Sequence, residues 1–250
     1  MNRSSPYELS GSVALVTGAG RRVGRAIALE LARAGAAVAV HVNRSRGPGA
    51  EVAAEVRELG VRAAVVQADQ RDVAEIEAAC RAAREALGPV DLLVNSAAIW
   101  PSVDLAQCTQ EDFDLALEVN LRGPFFWARF LGVEMKRQGG GAIVSIADVS
   151  ADRPWTDALP YCAAKAGLVS MTYGLAKALA PEVRVNAIGP GPILFPAGYP
   201  EGRRRADREA TLRGTEGSPE DVARAVRFLF ESPNVTGAFL PVDGGYRFGI

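Results

Sequence analysis

The chain has 250 residues, 48% of them hydrophobic and 23% charged, and a formal net charge of -1. That balance gives no electrostatic reason to expect nucleic acid or a membrane surface as a partner. It also contains no apolar run near the ~20 residues a membrane span needs, and the opening MNRSSPYELSG lacks the apolar centre of a signal peptide. Cys80, Cys108 and Cys162 lie at scattered spacing, as expected for reduced thiols in a cytoplasmic protein. With His41 the only histidine, a Cys/His metal site is not expected.

In chain order, SVALVT (12–17) predicts a strand and RRVGRAIALELARAG (21–35) a helix stopped by Gly35. A strand over 36–42, a helix over 49–60, a strand over 62–69 and a helix over 72–88 follow. Strands at 91–97 and 141–148 flank a long helical stretch near 110–138. The rest reads as a helix over 158–180, a strand over 183–190, a helix over 219–230 and an apolar C-terminal run, GAFLPV. The strands are apolar on both faces, so alternating β and α predicts one doubly wound domain, an α/β fold with a mostly parallel sheet between two helix layers. Residues 191–217 are polar, glycine-rich and aperiodic, and are expected to form a mobile loop over the substrate.

The first strand runs into TGAGRRVG (17–24) and then a helix, the arrangement that turns backbone N–H groups toward a pyrophosphate. Its spacing resembles the Thr-Gly-x-x-x-Gly-x-Gly turn of short-chain dehydrogenases/reductases, with Arg22 at the middle glycine. After the second strand, HVNRSRG (41–47) has no acidic residue to hold the ribose hydroxyls of NAD. Arg22 and Arg44, with Asn43 and Ser45 as neutral donors, suit a 2′-phosphate, so NADPH/NADP+ is the expected cofactor. Asp69 is placed to accept from the adenine amino group and Asn95 to lie under the adenosine ribose; each could equally be a strand-end turn residue.

Tyr161 and Lys165 are four apart on a predicted helix and share a face. The ammonium is expected to lower the phenol pKa, and the phenol to give a proton to substrate. Asn120, inside a helical stretch, favours a local kink; it is either a capping residue or the holder of a water against Lys165.

With TGAGRRVG, these features resemble the short-chain dehydrogenases/reductases over nearly the full chain, through LVNSAA, EVN, YCAAK, RVNAIGPG and VTGAFLPVDGG. The resemblance implies a seven-stranded sheet, a homotetramer, and cofactor contacts at Gly18, Val23, Ala97, Lys165, Pro190, Gly191 and Ile193. Within the family the chain looks most like the pteridine reductases, through Arg22, His41-Val-Asn-Arg44-Ser45, and Asp148 thirteen residues before Tyr161. A serine at that last position donates to a developing oxyanion, and an ionised Asp148 cannot. A carboxylate can instead accept from the donors of a pterin edge or relay a proton to a ring nitrogen. A pterin-like small molecule is therefore the expected substrate, with a carbonyl reductase of acyl-thioesters, sugars or ketones as the alternative, and a catalytically idle nucleotide-binding member as a third reading. Ser150 or Ser145 could also take over from Asp148, and either Ile99 or Trp100 could supply the substrate wall. The chain departs from the family in having Ala98 for a glycine and no threonine in PGPILF (190–195).

Overall fold

Runs of Val, Ala, Leu and Ile with no polar face can be satisfied only in a sheet covered on both sides. The computed structural model, which describes residues 8–195 and 198–249, has them there. Its strands are β1 (Val13–Val16), β2 (Ala37–Val42), β3 (Ala63–Gln67), β4 (Leu92–Asn95), β5 (Gly141–Ile146), β6 (Val183–Pro190) and β7 (Phe239–Val242). They form one sheet in the order β3-β2-β1-β4-β5-β6-β7, and every neighbouring pair is parallel. The helices are α1 (Arg22–Arg33), α2 (Arg46–Glu58), α3 (Val73–Leu87), α4 (Gln110–Leu117), α5 (Gly123–Gln138), α6 (Leu159–Leu179), α7 (Glu201–Glu209) and α8 (Pro219–Glu231).

Alternate residues along each strand feed two cores. Ala14, Val16, Val38 and Val40 meet Ile27 and Leu31 of α1, Val52 of α2 and Phe230 of α8. Val13, Leu15, Leu93 and Ile143 meet Ile76 of α3, Trp127 and Met135 of α5 and Leu179 of α6. Strand order reverses between β1 and β4, which opens a crevice beyond their carboxyl ends.

Two elements add to the sequence expectation, the first at the kink that Asn120 favours. The stretch near 110–138 is broken between α4 and α5 by a π-turn over Glu118–Arg122 that contains Asn120. Asn120 Nδ2 donates to the Ala116 carbonyl at 3.0 Å, four residues back, and Gln70 Nε2 donates to the Val119 carbonyl at 2.7 Å. The Gly123 N–H moves to the Glu118 carbonyl, five residues back. The kink thus follows from side chains taking carbonyls out of the helical ladder.

The second lies in 191–217, which carries α7 instead of being wholly aperiodic. That helix buries none of its residues, so it leaves no hydrophobic period to read. Ion pairs hold it: Arg203 to Asp157 at 2.9 Å and Arg204 to Glu216 at 2.8 Å. Residues 196–197 of this segment lie outside the described residues. Among the described residues no helix is long and apolar enough to cross a membrane.

Candidate active site

The crevice is a cavity of 960 Å³ that runs from the β1–α1 turn to α6. Its floor is pinned by Thr17, whose Oγ1 accepts from the backbone N–H groups of Ser96 and Ala97, both at 2.9 Å. Gly18 has φ +66, and a Cβ there would stand 2.8 Å from the Ala97 Cα. Only glycine lets these segments approach so closely. At the start of α1 the N-cap Arg21 provides no side-chain acceptor and the first turn no acid, so the helix N-terminus suits an anion. These features fit a dinucleotide pyrophosphate. Gly18, Val23, Asn43, Arg44 and Ser45 line this end, and Ala97, Pro190, Gly191 and Ile193 continue the wall.

Arg22 keeps the left-handed backbone of the glycine it replaces, with φ 54, a strain of roughly 1 kcal/mol for a residue with a Cβ. Its side chain lines the cavity, as does that of Arg44. Arg22 Nη2 donates to the Leu194 carbonyl at 2.8 Å and ties the glycine turn to the loop after β6. A further basic residue at the adenosine end is Arg71, which sequence reading passed over and which also lines the cavity. It grips the Asp69 carboxylate through Nε at 3.0 Å and Nη2 at 2.6 Å. Arg71, with help from Asn43, holds that carboxyl down to about 2. Asp69 is therefore a charged member of a cluster, engaged before any adenine arrives. The one signal for Arg71 was a cation two residues beyond a strand-end acid.

Asn95 is corrected outright. Its side chain points inward, donating to Ser145 Oγ at 3.3 Å and the Pro124 carbonyl at 3.4 Å, and it does not line the cavity. Strand parity sends it to the α5 side. The backbone of Ser96 and Ala97 faces the crevice in its place.

At the other end, α6 carries Tyr161 and Lys165 on one face, and Asp148 follows β5. Tyr161 and Lys165 are buried, Asp148 is half-buried, and all three line the cavity. Tyr161 Oη donates to Asp148 Oδ2 at 2.8 Å, and the Ser150 N–H donates to Asp148 Oδ1 at 2.8 Å. Lys165 Nζ donates to the Ile146 carbonyl at 2.8 Å and lies 5.5 Å from the Tyr161 ring centroid. Of the three candidates for the serine position, Asp148 is the one on the cavity wall; Ser145 is buried against Asn95.

Burial dominates the electrostatics. It pushes the Asp148 carboxyl up, against the Ser150 N–H, Lys165 and Tyr161, which favour its charge. It lowers Lys165 to about 8, with Asp148 opposing. Tyr161 rises well above 10, from burial and then from Asp148. Desolvation and a neighbouring carboxylate raise the phenol, where a lowering by Lys165 was expected. The phenol is held neutral, as a proton donor must be.

Asn120 is buried with both ends engaged, its Oδ1 accepting from the Ile99 N–H at 3.1 Å. It shapes the β4–α4 loop. Ile99 and Trp100 both line the cavity. The aromatic wall is larger than expected. Trp100 stands edge-on to Trp155 at 6.2 Å and near Tyr199 at 6.4 Å, while Trp155 lies parallel to Tyr161 at 6.1 Å. Sequence reading missed Trp155, although it sits six residues before the tyrosine.

A family model described as Enoyl-(Acyl carrier protein) reductase matches residues 18–247. The chain is 35% identical to the L-rhamnose 1-dehydrogenase (NAD(P)(+)) of Sphingomonas sp. strain SKA58, over 95% of this chain and 96% of that one. It is 34% identical to the D-threitol dehydrogenase of Mycolicibacterium smegmatis, over 96% and 94%. Among solved structures, a blue fluorescent protein from a metagenomic library in complex with NADPH superposes with a TM-score of 0.89 at 34% identity, over 96% of this chain and 99% of that one.

Proposed function

The chain belongs to the short-chain dehydrogenases/reductases, and on that premise we propose that it is an NADPH-dependent reductase of a carbonyl group. Its substrate class is that of a sugar, polyol-derived ketone or aldehyde. The observation that carries this reading is the Asp148–Tyr161 pair, 2.8 Å apart in a cavity that Lys165 also lines. An ionised Asp148 would repel a developing alkoxide. Burial pushes that carboxyl toward its acid form, and an acid-form Asp148 donates as a serine would. Desolvation of Asp148 thereby weakens the objection to a carbonyl substrate raised by the sequence alone. Two relatives with named activities on rhamnose and threitol support the same class.

When bound, the nicotinamide supplies the hydride. Tyr161 gives its proton to the carbonyl oxygen, and Asp148, in contact with the phenol, can return one. Lys165, anchored on Ile146, keeps a positive charge beside the phenol. The 2′-phosphate preference rests on Arg44 and Arg71 facing the cavity with no acid between Ala36 and Ala50. The NADPH in the superposable structure is consistent with that choice.

A second reading, reduction of a pterin-like C=N ring, is favoured by one feature. The cavity wall is built from flat rings, Trp100, Trp155 and Tyr161, which suit a planar heterocycle. The two readings separate in one assay. Initial rates of NADPH oxidation are measured with aldoses, diketones and aromatic aldehydes against a dihydropterin. If the dihydropterin exceeds every carbonyl in kcat/KM by about tenfold, a gap of about 1.4 kcal/mol, the carbonyl reading fails and the pterin one stands.

A further inference from the structure

The glycine turn is organised by a residue outside it. His41, at the end of β2, is 1% exposed and takes the first two N–H groups of the turn. Its Nδ1 accepts from the Gly18 N–H at 3.2 Å, and its backbone carbonyl accepts from the Ala19 N–H at 3.0 Å. The far ring nitrogen, Nε2, lies 3.1 Å from the Ala68 carbonyl, so it must be the protonated one, and Nδ1 is left as an acceptor. Trp127 closes the remaining side, edge-on at 4.9 Å.

One imidazole thus joins the β1–α1 turn to the end of β3, the two segments that carry Gly18 and Asp69. With Gly18 and Ala19 committed inward, the N–H groups left for a phosphate are those that follow, at the start of α1.

We propose that His41 is a positioning residue for the cofactor, its neutral Nε2–H tautomer fixing the phosphate-binding turn through the Gly18 N–H. A core histidine that merely fills space would need neither a particular tautomer nor a particular acceptor. The proposal rests on the dinucleotide reading of the cavity.

The two amides mimic different halves of the ring: an asparagine oxygen falls near Nδ1, and a glutamine nitrogen near Nε2. NADPH dissociation constants are measured by fluorescence titration for the wild type, His41→Asn and His41→Gln, together with melting temperature and kcat at saturating cofactor. His41→Asn should stay within about threefold of the wild-type Kd. His41→Gln, which keeps the Ala68 contact and leaves the half-buried Gly18 N–H unpaired, should weaken NADPH by about tenfold or more, as expected when the turn loses its fixed partner. Its kcat at saturation should change less than about twofold, because the lost contact acts on binding and not on the reacting groups. Equal Kd values for the two variants, or tighter binding by His41→Gln, would overturn the role. A wild type that binds neither NADPH nor NADH would sink the dinucleotide reading and this role with it.

Should either variant fail to fold, the wild type still decides. His41 is the only histidine in the chain, so ¹⁵N-histidine labelling yields one imidazole whose nitrogen shifts report the tautomer. A proton on Nδ1 would end the proposal.

Discussion

Below neutral pH, the chain should lose stability through His41. Burial holds this imidazole down to about 4, against the Ala68 carbonyl and the charge of Asp69, which favour its protonation. In the unfolded chain the same group titrates near 6.5. Above pH 6.5 both states are neutral and His41 contributes nothing to pH dependence. Between pH 6.5 and 4 the unfolded chain binds a proton that the native state refuses, so stability falls as pH falls. At 1.36 kcal/mol per pH unit the full loss is about 3 kcal/mol, with about 2.5 kcal/mol already gone at pH 4.5. A chain of this length shifts by about 2–4 °C per kcal/mol, so roughly 5–10 °C of melting temperature is at stake. The assay compares the apo wild type with His41→Asn, which cannot titrate, from pH 7.5 to 4.5. Subtracting the two curves cancels the carboxylates; the Asp69 contribution in any case appears only below about pH 4, since Arg71 holds that group down to about 2. Parallel curves for the two proteins would refute the reasoning, by showing that the buried ring accepts its proton without cost.

Four further outcomes follow from the site. Tyr161→Phe removes the phenol in contact with Asp148 and should lower kcat by about 10²–10⁴-fold with NADPH binding intact; a loss below about tenfold would remove Tyr161 as the acid. Arg44→Asp puts an acid where the ribose hydroxyls would lie and should erode an NADPH preference of about a hundredfold in the wild type; equal kcat/KM for NADPH and NADH in the wild type would end that assignment. Gly18→Ala forces a side chain into left-handed backbone and to within 2.8 Å of the Ala97 Cα. It should cost at least ~1–2 kcal/mol, read in denaturant melts, and loosen NADPH; an unchanged midpoint would mean that the turn is not packed as described. The exposed rings of Phe125 and Tyr173, and the apolar groove lined by Leu117, Leu121 and Met171, are surfaces a second copy could cover. Light scattering should show a tetramer at micromolar concentration, and a monomer would refute it.

Local chemistry made much of this chain legible without coordinates. Strands that are apolar on both faces have one stable environment, so the layered parallel sheet could be read from composition and alternation. The left-handed turn at Gly18 and the shared face of Tyr161 and Lys165 follow from spacings of a few residues, which helix and turn geometry convert directly into position. Side-chain destinations set by distant partners were beyond its reach. Arg22 reaches the Leu194 carbonyl, 172 residues away. Gln70 takes the Val119 carbonyl, 49 residues on, and so helps turn the kink that Asn120 favours into a π-turn. Asn95 faces inward, while α7 forms with no buried stripe because its support is ionic. The sharpest divide falls at Asp148. A sequence shows a carboxylate and its distance from a tyrosine. Whether it acts as acceptor or donor depends on how much water the fold takes from it, and only the packing of β5, α6 and the crevice decides that.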